Sequence, residues 1–206
     1  HRDLHSFPTR RSSDLALTNP NAVFKGEPIT VDDVLNSRMV NDPLHLLECV
    51  MPCAGAAACI VTSAERANSL PNPPVYILGA ATGVSDHDTI WQAERITTTP
   101  VAISARKAYE MAGYGPRDIQ LAQFYDCYTV LAAVGPEDAG FCEKGEIGPC
   151  YVCGDPTYKG TFTIHTDGMQ PSASQPAGGA GQTRNQIAGV APDEGRAVDC
   201  RHDVAH

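Results

Sequence analysis

The apolar positions of this chain fall into short runs separated by glycine, proline and polar turns. Two runs are continuous, Ala56-Ala-Ala-Cys-Ile-Val-Thr62 and Val75-Tyr-Ile-Leu-Gly79. Unbroken runs of this length fit strands covered on both faces; for the first, period alone leaves a buried helix open as well. Asp118-Ile-Gln-Leu-Ala-Gln-Phe124 reads as a third strand, and Thr161-Phe-Thr-Ile164, which alternates, as a fourth. Helical patterns lie between them. Thr30 ahead of Val31-Asp-Asp-Val-Leu35 predicts a short capped helix with acids in its first turn, where they suit the helix dipole. Ser63 opens another at Ala64. The clearest helix begins at Thr99-Pro100, carries Val101, Ala105, Ala108 and Ala112 on one stripe, and stops at Gly113. A further helix runs from Tyr128 to about Val134. Gly135-Pro136 is expected to break it, because proline lacks the amide donor and clashes with the preceding turn. One turn restarts over Pro136 to Ala139 and closes at Gly140. Ala177-Gly-Gly-Ala-Gly181 then feeds a last helix around Gln182 to Ala188. Strands alternating with helices argue for an α/β layered domain.

Residues 1–15 show neither period, with three arginines and two aspartates, and read as a foreign or disordered leader. The domain is expected over residues 16–190, followed by an irregular polar tail over 191–206. A chain of 206 residues that is 42% hydrophobic can bury a core. It holds no apolar run of about 18 residues, so no membrane span is expected. The net charge of −9, without a basic stripe, argues against a nucleic-acid partner. Cys49, Cys59 and Cys127 fall inside apolar stretches, which points to buried, reduced thiols and a cytoplasmic setting. Cys150-x-x-Cys153, with Cys142 and His165, has metal-ligand spacing, but a second close pair is missing. Loop cysteines and no metal are therefore expected. Asp86, His87 and Asp88 are adjacent and cannot all face one ion, so they read as a solvated loop. The glycines before Gln182 match neither nucleotide-binding spacing. They fit a close approach of two backbones instead.

The chemistry-bearing residues concentrate in Gln123-Phe-Tyr-Asp-Cys-Tyr-Thr129 and continue to Asp138-Ala-Gly-Phe-Cys-Glu-Lys-Gly145. Tyr125, Asp126 and Cys127 stand where a strand gives way to a helix. In α/β folds ligands bind beyond the carboxyl ends of the strands.

An ordered series of motifs resembles the C-terminal half of the thiolase superfamily, nearest to the sterol-carrier or lipid-transfer-type thiolases. The series comprises Asn19-Pro-Asn-Ala, Ser37-Arg-Met, Asp42-Pro-Leu-His-Leu-Leu47, Gly55-Ala-Ala-Ala, Thr62-Ser-Ala-Glu-Arg-Ala67, Tyr125-Asp-Cys-Tyr128, Glu137-Asp-Ala-Gly-Phe-Cys-Glu-Lys-Gly-Glu146 and Thr166-Asp-Gly168. The Glu137–Glu146 stretch is the most specific. The resemblance implies an α-β-α layered half, incomplete at the last strands, with active-site residues at strand-to-helix ends. It implies action on carbon–carbon bonds beside the carbonyl of a coenzyme A thioester, which is the substrate; no covalently bound cofactor is implied. By the same resemblance Tyr125, Asp126, Gln175 and His165 are catalytic candidates. Gly168, Ser174, Gly178, Gly179 and Gly181 form the candidate substrate-binding loop. A homodimer and an OB-fold acyl-CoA-binding partner protein are implied as well.

The departures from the family pattern bear on the reaction. The nucleophilic cysteine belongs to the family's first half, outside these residues. A histidine of a Gly-His-Pro loop is replaced, since the loop reads Ser174-Gln175-Pro176. Gln175 donates a hydrogen bond but takes up no proton at neutral pH. Ala54, Met169 and Pro171 also depart from the pattern, and His165 takes the place of an asparagine. His165 is either a proton carrier or a surface or loop histidine. Tyr125 stands where Asn or His is usual; it is either an acid–base group, as in the thiolase-like aldolases, or a packed strand-end aromatic. The resemblance implies the C-terminal part of a thiolase-like acyl-CoA acyltransferase, of the acetyl-CoA acetyltransferase type, or lipid-transfer protein; the alternatives are a retro-aldolase subunit of steroid or lipid side-chain degradation and a non-catalytic lipid-transfer or scaffold subunit. The isolated chain is expected not to turn over acyl-CoA.

Overall fold

A computed structural model describes residues 16, 17, 19, 20, 22–24, 26, 28–54, 58–86, 92–153 and 163–165, together with the backbone of 175–176 and 187–189. The capping signals operate as expected. In α1 (Val31–Asn36) the Thr30 hydroxyl accepts from Asp33 N at 3.1 Å, and the Asp33 carboxylate accepts from Thr30 N at 2.8 Å. These bonds satisfy donors that the first helical turn leaves unpaired. An antiparallel hairpin, β1 (Met39–Asn41) with β2 (Leu44–His45), follows, then β3 (Pro52–Cys53). In α2 (Ala64–Ala67) Ser63 accepts from Arg66 N at 3.3 Å. Helix α3 (Val101–Ala112) ends on Gly113, whose φ of 76° is the left-handed conformation glycine adopts without penalty.

The centre is β4 (Leu121–Gln123). It pairs in parallel with β5 (Thr163–Ile164), in the register Ala122 with Ile164, and antiparallel with β7 (Ile187–Gly189), in the register Ala122 with Ala188. A separate parallel pair joins β3 to β6 (Gln175–Pro176), with Pro52 opposite Gln175. Alternation along the strand turns Ala122 and Phe124 to one side, where they bury with Ile119, Ala139 and Ile164. Val101, Ala105 and Tyr109 of α3 pack over this cluster, and Phe141 stands edge-on to Phe124 with ring centroids 5.8 Å apart. After β4 come α4 (Thr129–Asp138) and α5 (Ile147–Cys153). The mixture is the expected α/β architecture.

Four expectations are corrected. The run at 75–79 forms no strand, and neither do the described residues of the run at 56–62; Ile60 is 93% and Val75 88% exposed. A strand needs a ladder partner, and among the described residues none runs beside either segment. Residues 79–85 instead lie along α3. A Cβ on Gly79 would meet Ala108 O and Ala112, and one on Gly83 would meet Pro100 O, so glycine permits the close approach at both points.

Second, α4 does not break at Gly135-Pro136 but runs through it. The carbonyl that Pro136 cannot serve, Ala132 O, accepts from the Tyr151 hydroxyl at 3.4 Å instead. Gly135 faces the Phe124 ring, which a Cβ would approach to 3.1 Å. Third, β4 starts at Leu121 rather than Asp118, because residues Pro116–Asp118 form a 3-10 turn whose Asp118 carboxylate accepts from Gly115 N at 2.7 Å. Fourth, Ile187 and Ala188 are strand rather than helix, pairing with the edge of β4 that β5 leaves open. The leader 1–15, the tail 191–206, and residues His87, Asp88, Ala177 and 182–186 lie outside the described residues.

Candidate active site

Strand β4 delivers the chain into residues 124–128, where inward and outward side chains separate. Phe124, Asp126 and Cys127 are buried, while Tyr125 is 36% and Tyr128 39% exposed. The start of α4 is held from the side by the turn after β2. The Thr129 hydroxyl donates to Glu48 Oε1 at 3.4 Å, and Glu48 Oε2 accepts from His45 N at 2.8 Å. A backbone bridge between Cys49 and Tyr128 sets the turn beside the junction. Burial of Glu48 is thus matched by hydrogen bonds to its carboxylate.

Cys127 lies within this junction. Burial pushes its thiol up from the ordinary range, a side-chain hydrogen bond with Tyr125 opposes that, and the charges of Asp126 and Cys49 add to the rise. The Cys49 thiol is pushed up by burial and by Glu48. Both sulfurs are therefore protonated at neutral pH, and neither is an activated thiolate.

Asp126 turns inward to His165. Both are buried, and His165 Nε2 stands 3.4 Å from Asp126 Oδ2. On the other side of the ring Nδ1 is 3.0 Å from Gln123 Oε1, and the imidazole lies edge-on to Phe124. The His165 amide donates to Ala122 O at 3.0 Å, prolonging the β4–β5 pairing, and the residue then takes a φ of 57°. His165 is therefore buried and not a surface histidine. Apolar strand residues carry it inside, where Nδ1 meets the Gln123 amide and Nε2, near Asp126, makes no hydrogen bond.

Gln175 sits in β6, and its backbone pairs beside Pro52. Cys49, three residues earlier, bridges to Tyr128. Three residues span at most roughly 10 Å, so both motifs flank one short stretch of chain. Gly168, Ser174, Gly178, Gly179 and Gly181 lie outside the described residues.

The Cys142 and Cys150 side chains hydrogen-bond to each other, and burial foremost pushes Cys142 up to about 12. The His165 ring meets Gln123 through Nδ1. Among the described residues no group of three potential ligands is placed to hold a metal ion. Three participants were not legible as such. Gln123, Glu48 and Tyr151 carry no motif that singles out their partners. The one available signal was a carboxylate, Glu48, directly after an apolar pair.

The Glu137–Glu146 stretch proves to be a brace. Asp138 accepts from Thr99 N at 2.7 Å and from its hydroxyl at 2.8 Å, and pairs with Lys144 at 2.6 Å. Glu137 Oε1 accepts from Gly145 N at 3.0 Å and Ile147 N at 3.2 Å, where α5 begins. Two adjacent acids thus tie together the start of α3, the end of α4 and the start of α5.

Among known proteins, a steroid side-chain-cleaving aldolase of Thermomonospora curvata is 39% identical over 160 residues, covering 75% of this chain and 41% of the relative. An acetyl-CoA acetyltransferase of Methanothermobacter thermautotrophicus is 33% identical over 199 residues, covering 92% of this chain and 51% of the relative. The solved structure of the Ltp2-ChsH2(DUF35) aldolase superposes with a TM-score of 0.78 at 31% identity, covering 89% of this chain and 49% of that chain. The chain thus spans about half the length of these relatives, or less. The family described as thiolase C-terminal domain-like matches residues 82–191, more than half of the sequence. With the junction, the Glu137–Glu146 brace and the β4-centred sheet all inside that match, the chain belongs to the thiolase C-terminal domain-like family.

Proposed function

We propose that these residues form the C-terminal part of a protein that cleaves a carbon–carbon bond of an acyl-CoA thioester by a retro-aldol step, with Tyr125 as its proton-transfer group. The observation that carries the reading is the split at the junction. Asp126 and Cys127 are buried, while Tyr125, whose hydroxyl hydrogen-bonds Cys127, stays 36% exposed at the carboxyl end of β4. A neutral phenol begins as a proton donor. In the proposed step a base removes the proton of a β-hydroxyl group, and the oxygen lone pair becomes the new carbonyl. The Cα–Cβ bond breaks, its electron pair forms the thioester enolate, and Tyr125 returns a proton to Cα. The step needs no activated thiolate, in keeping with the raised Cys127 and Cys49 thiols. Relatives named as aldolases support it.

Under this reading the substrate is a β-hydroxyacyl-CoA, no covalent cofactor takes part, and the protein forms a homodimer. The partner is an acyl-CoA-binding protein with an OB-fold. The two-component aldolase among the solved neighbours supports a partnered assembly. Among the described residues no helix is long and apolar enough to cross a membrane. A second reading, acyl transfer, is favoured by the acetyl-CoA acetyltransferase relative. It requires a nucleophilic cysteine outside these residues.

The test uses the product of the full coding sequence, with and without its partner, on a β-hydroxyacyl-CoA and on a 3-oxoacyl-CoA plus free coenzyme A. Retro-aldol chemistry releases a carbonyl fragment and a shortened acyl-CoA from the first substrate, and Tyr125→Phe stops it. Thiolysis of the second alone establishes the acyltransfer reading. An unchanged cleavage rate in Tyr125→Phe reduces that residue to packing.

A further inference from the structure

We infer that Cys127 is a positioning residue: its sulfur accepts a hydrogen bond from the Tyr125 hydroxyl, and this contact selects the rotamer in which the phenol stands at the junction. The two side chains are in hydrogen-bond contact. The direction of the bond follows from its effect on the sulfur. A donor aimed at sulfur favours the thiolate, and the Tyr125 contact opposes the rise that burial imposes on the thiol. The phenol therefore donates and the sulfur accepts. The neighbouring Cys49 thiol donates elsewhere, to His45 O at 3.3 Å, so its hydrogen does not compete for the Cys127 sulfur.

Of the two partners, Cys127 is the anchored one. It is 5% exposed, against 36% for Tyr125. The β4 ladder ends at Gln123, Phe124 packs into the core, and the Cys49–Tyr128 bridge holds the backbone directly after Cys127. A phenol at a partly exposed position divides its population among staggered χ1 rotamers. A hydrogen bond to an anchored sulfur favours one of them, so less freedom is lost when the reacting geometry forms. Sulfur suits this task because it is a weak acceptor. It holds the hydroxyl in the empty site and releases it to a stronger acceptor when substrate binds. A carboxylate in the same place would keep the hydroxyl for itself.

The consequence for catalysis rests on the role proposed for Tyr125; the contact itself does not. The test compares three substitutions in the product of the full coding sequence. Cys127→Ser keeps an acceptor, Cys127→Ala removes it, and Cys127→Val removes it while filling the space. Tyrosine is labelled at the phenolic carbon, and the Tyr125 signal is assigned by its loss in Tyr125→Phe. In nuclear magnetic resonance spectra that signal should move or broaden in Cys127→Ala and Cys127→Val and stay sharp in Cys127→Ser. For cleavage of a β-hydroxyacyl-CoA, kcat should fall by about 2- to 10-fold in the alanine and valine variants, with KM held. Serine should restore it. If Cys127→Ala fails to fold, serine against valine decides. A Tyr125 signal unmoved in folded Cys127→Val overturns the inference. So does a kcat restored by valine and not by serine, because filled space would then be what matters. An unchanged rate in Tyr125→Phe would remove the catalytic role and leave the carbon signals to decide the contact. Failure of the carbon signals would leave the Tyr125→Phe rate result standing.

Discussion

Removing one hydroxyl tests how a helix survives an internal proline. Pro136 has no N–H to give Ala132 O, and both Ala132 and Pro136 are buried, so solvent does not replace the missing donor. The Tyr151 hydroxyl fills the gap at 3.4 Å from a side chain only 3% exposed. Burial first, and then the charge of Asp126, push the ionisation of this phenol up, so it stays a protonated donor over the working pH range. Tyr151→Phe keeps the buried ring and creates no cavity; its cost is one orphaned carbonyl. A buried acceptor left unpaired costs about 1–3 kcal/mol, and the long contact places this one near 1 kcal/mol. For a chain of this size that lowers Tm by about 2–4 °C. The decisive measurement is a double-mutant cycle by urea unfolding followed by circular dichroism. Pro136→Ala returns an N–H to Ala132 O, so Tyr151→Phe should cost less in that background, by about 0.5 kcal/mol or more. Equal cost in the two backgrounds would refute the compensation and leave the tyrosine as packing alone.

Two further outcomes follow from neighbouring features. Gly79→Ala places a methyl group against the Ala108 carbonyl and Ala112, so it should destabilise the packing of residues 79–85 on α3 by about 1–3 kcal/mol, read as faster amide exchange there. Iodoacetamide at neutral pH should modify exposed Cys59 well before Cys127. The folded Cys127 thiol ionises above its ordinary 9.0, so its alkylation rate should climb only as pH rises past that value. Equal rates at Cys59 and Cys127, read by mass spectrometry, would contradict the burial argument.

The local elements were legible wherever a side chain acts on its own backbone. Thr30, Ser63, Pro100 and Gly113 mark helix ends through contacts a few residues long, and each helix begins or stops where they placed it. The Tyr125–Tyr128 motif was legible as a strand-to-helix junction for the same reason, and the ordered motif series carried the family. What failed depended on residues far away in sequence. Val75–Gly79 has strand composition, yet a strand exists only beside a partner. Pro136 reads as a helix breaker, yet a hydroxyl fifteen positions on at Tyr151 removes the reason to break. His165 reads as a polar residue at a loop start, yet the pairing of β5 with β4 carries it to Asp126. Sequence by itself determined where α1, α2 and α3 begin, where α3 stops, the site of the junction and the family, because each rests on short-range geometry or on residue order. Only the tertiary structure decided which polar groups meet in the interior, because a buried donor or acceptor takes its partner from whatever the fold brings within about 3 Å.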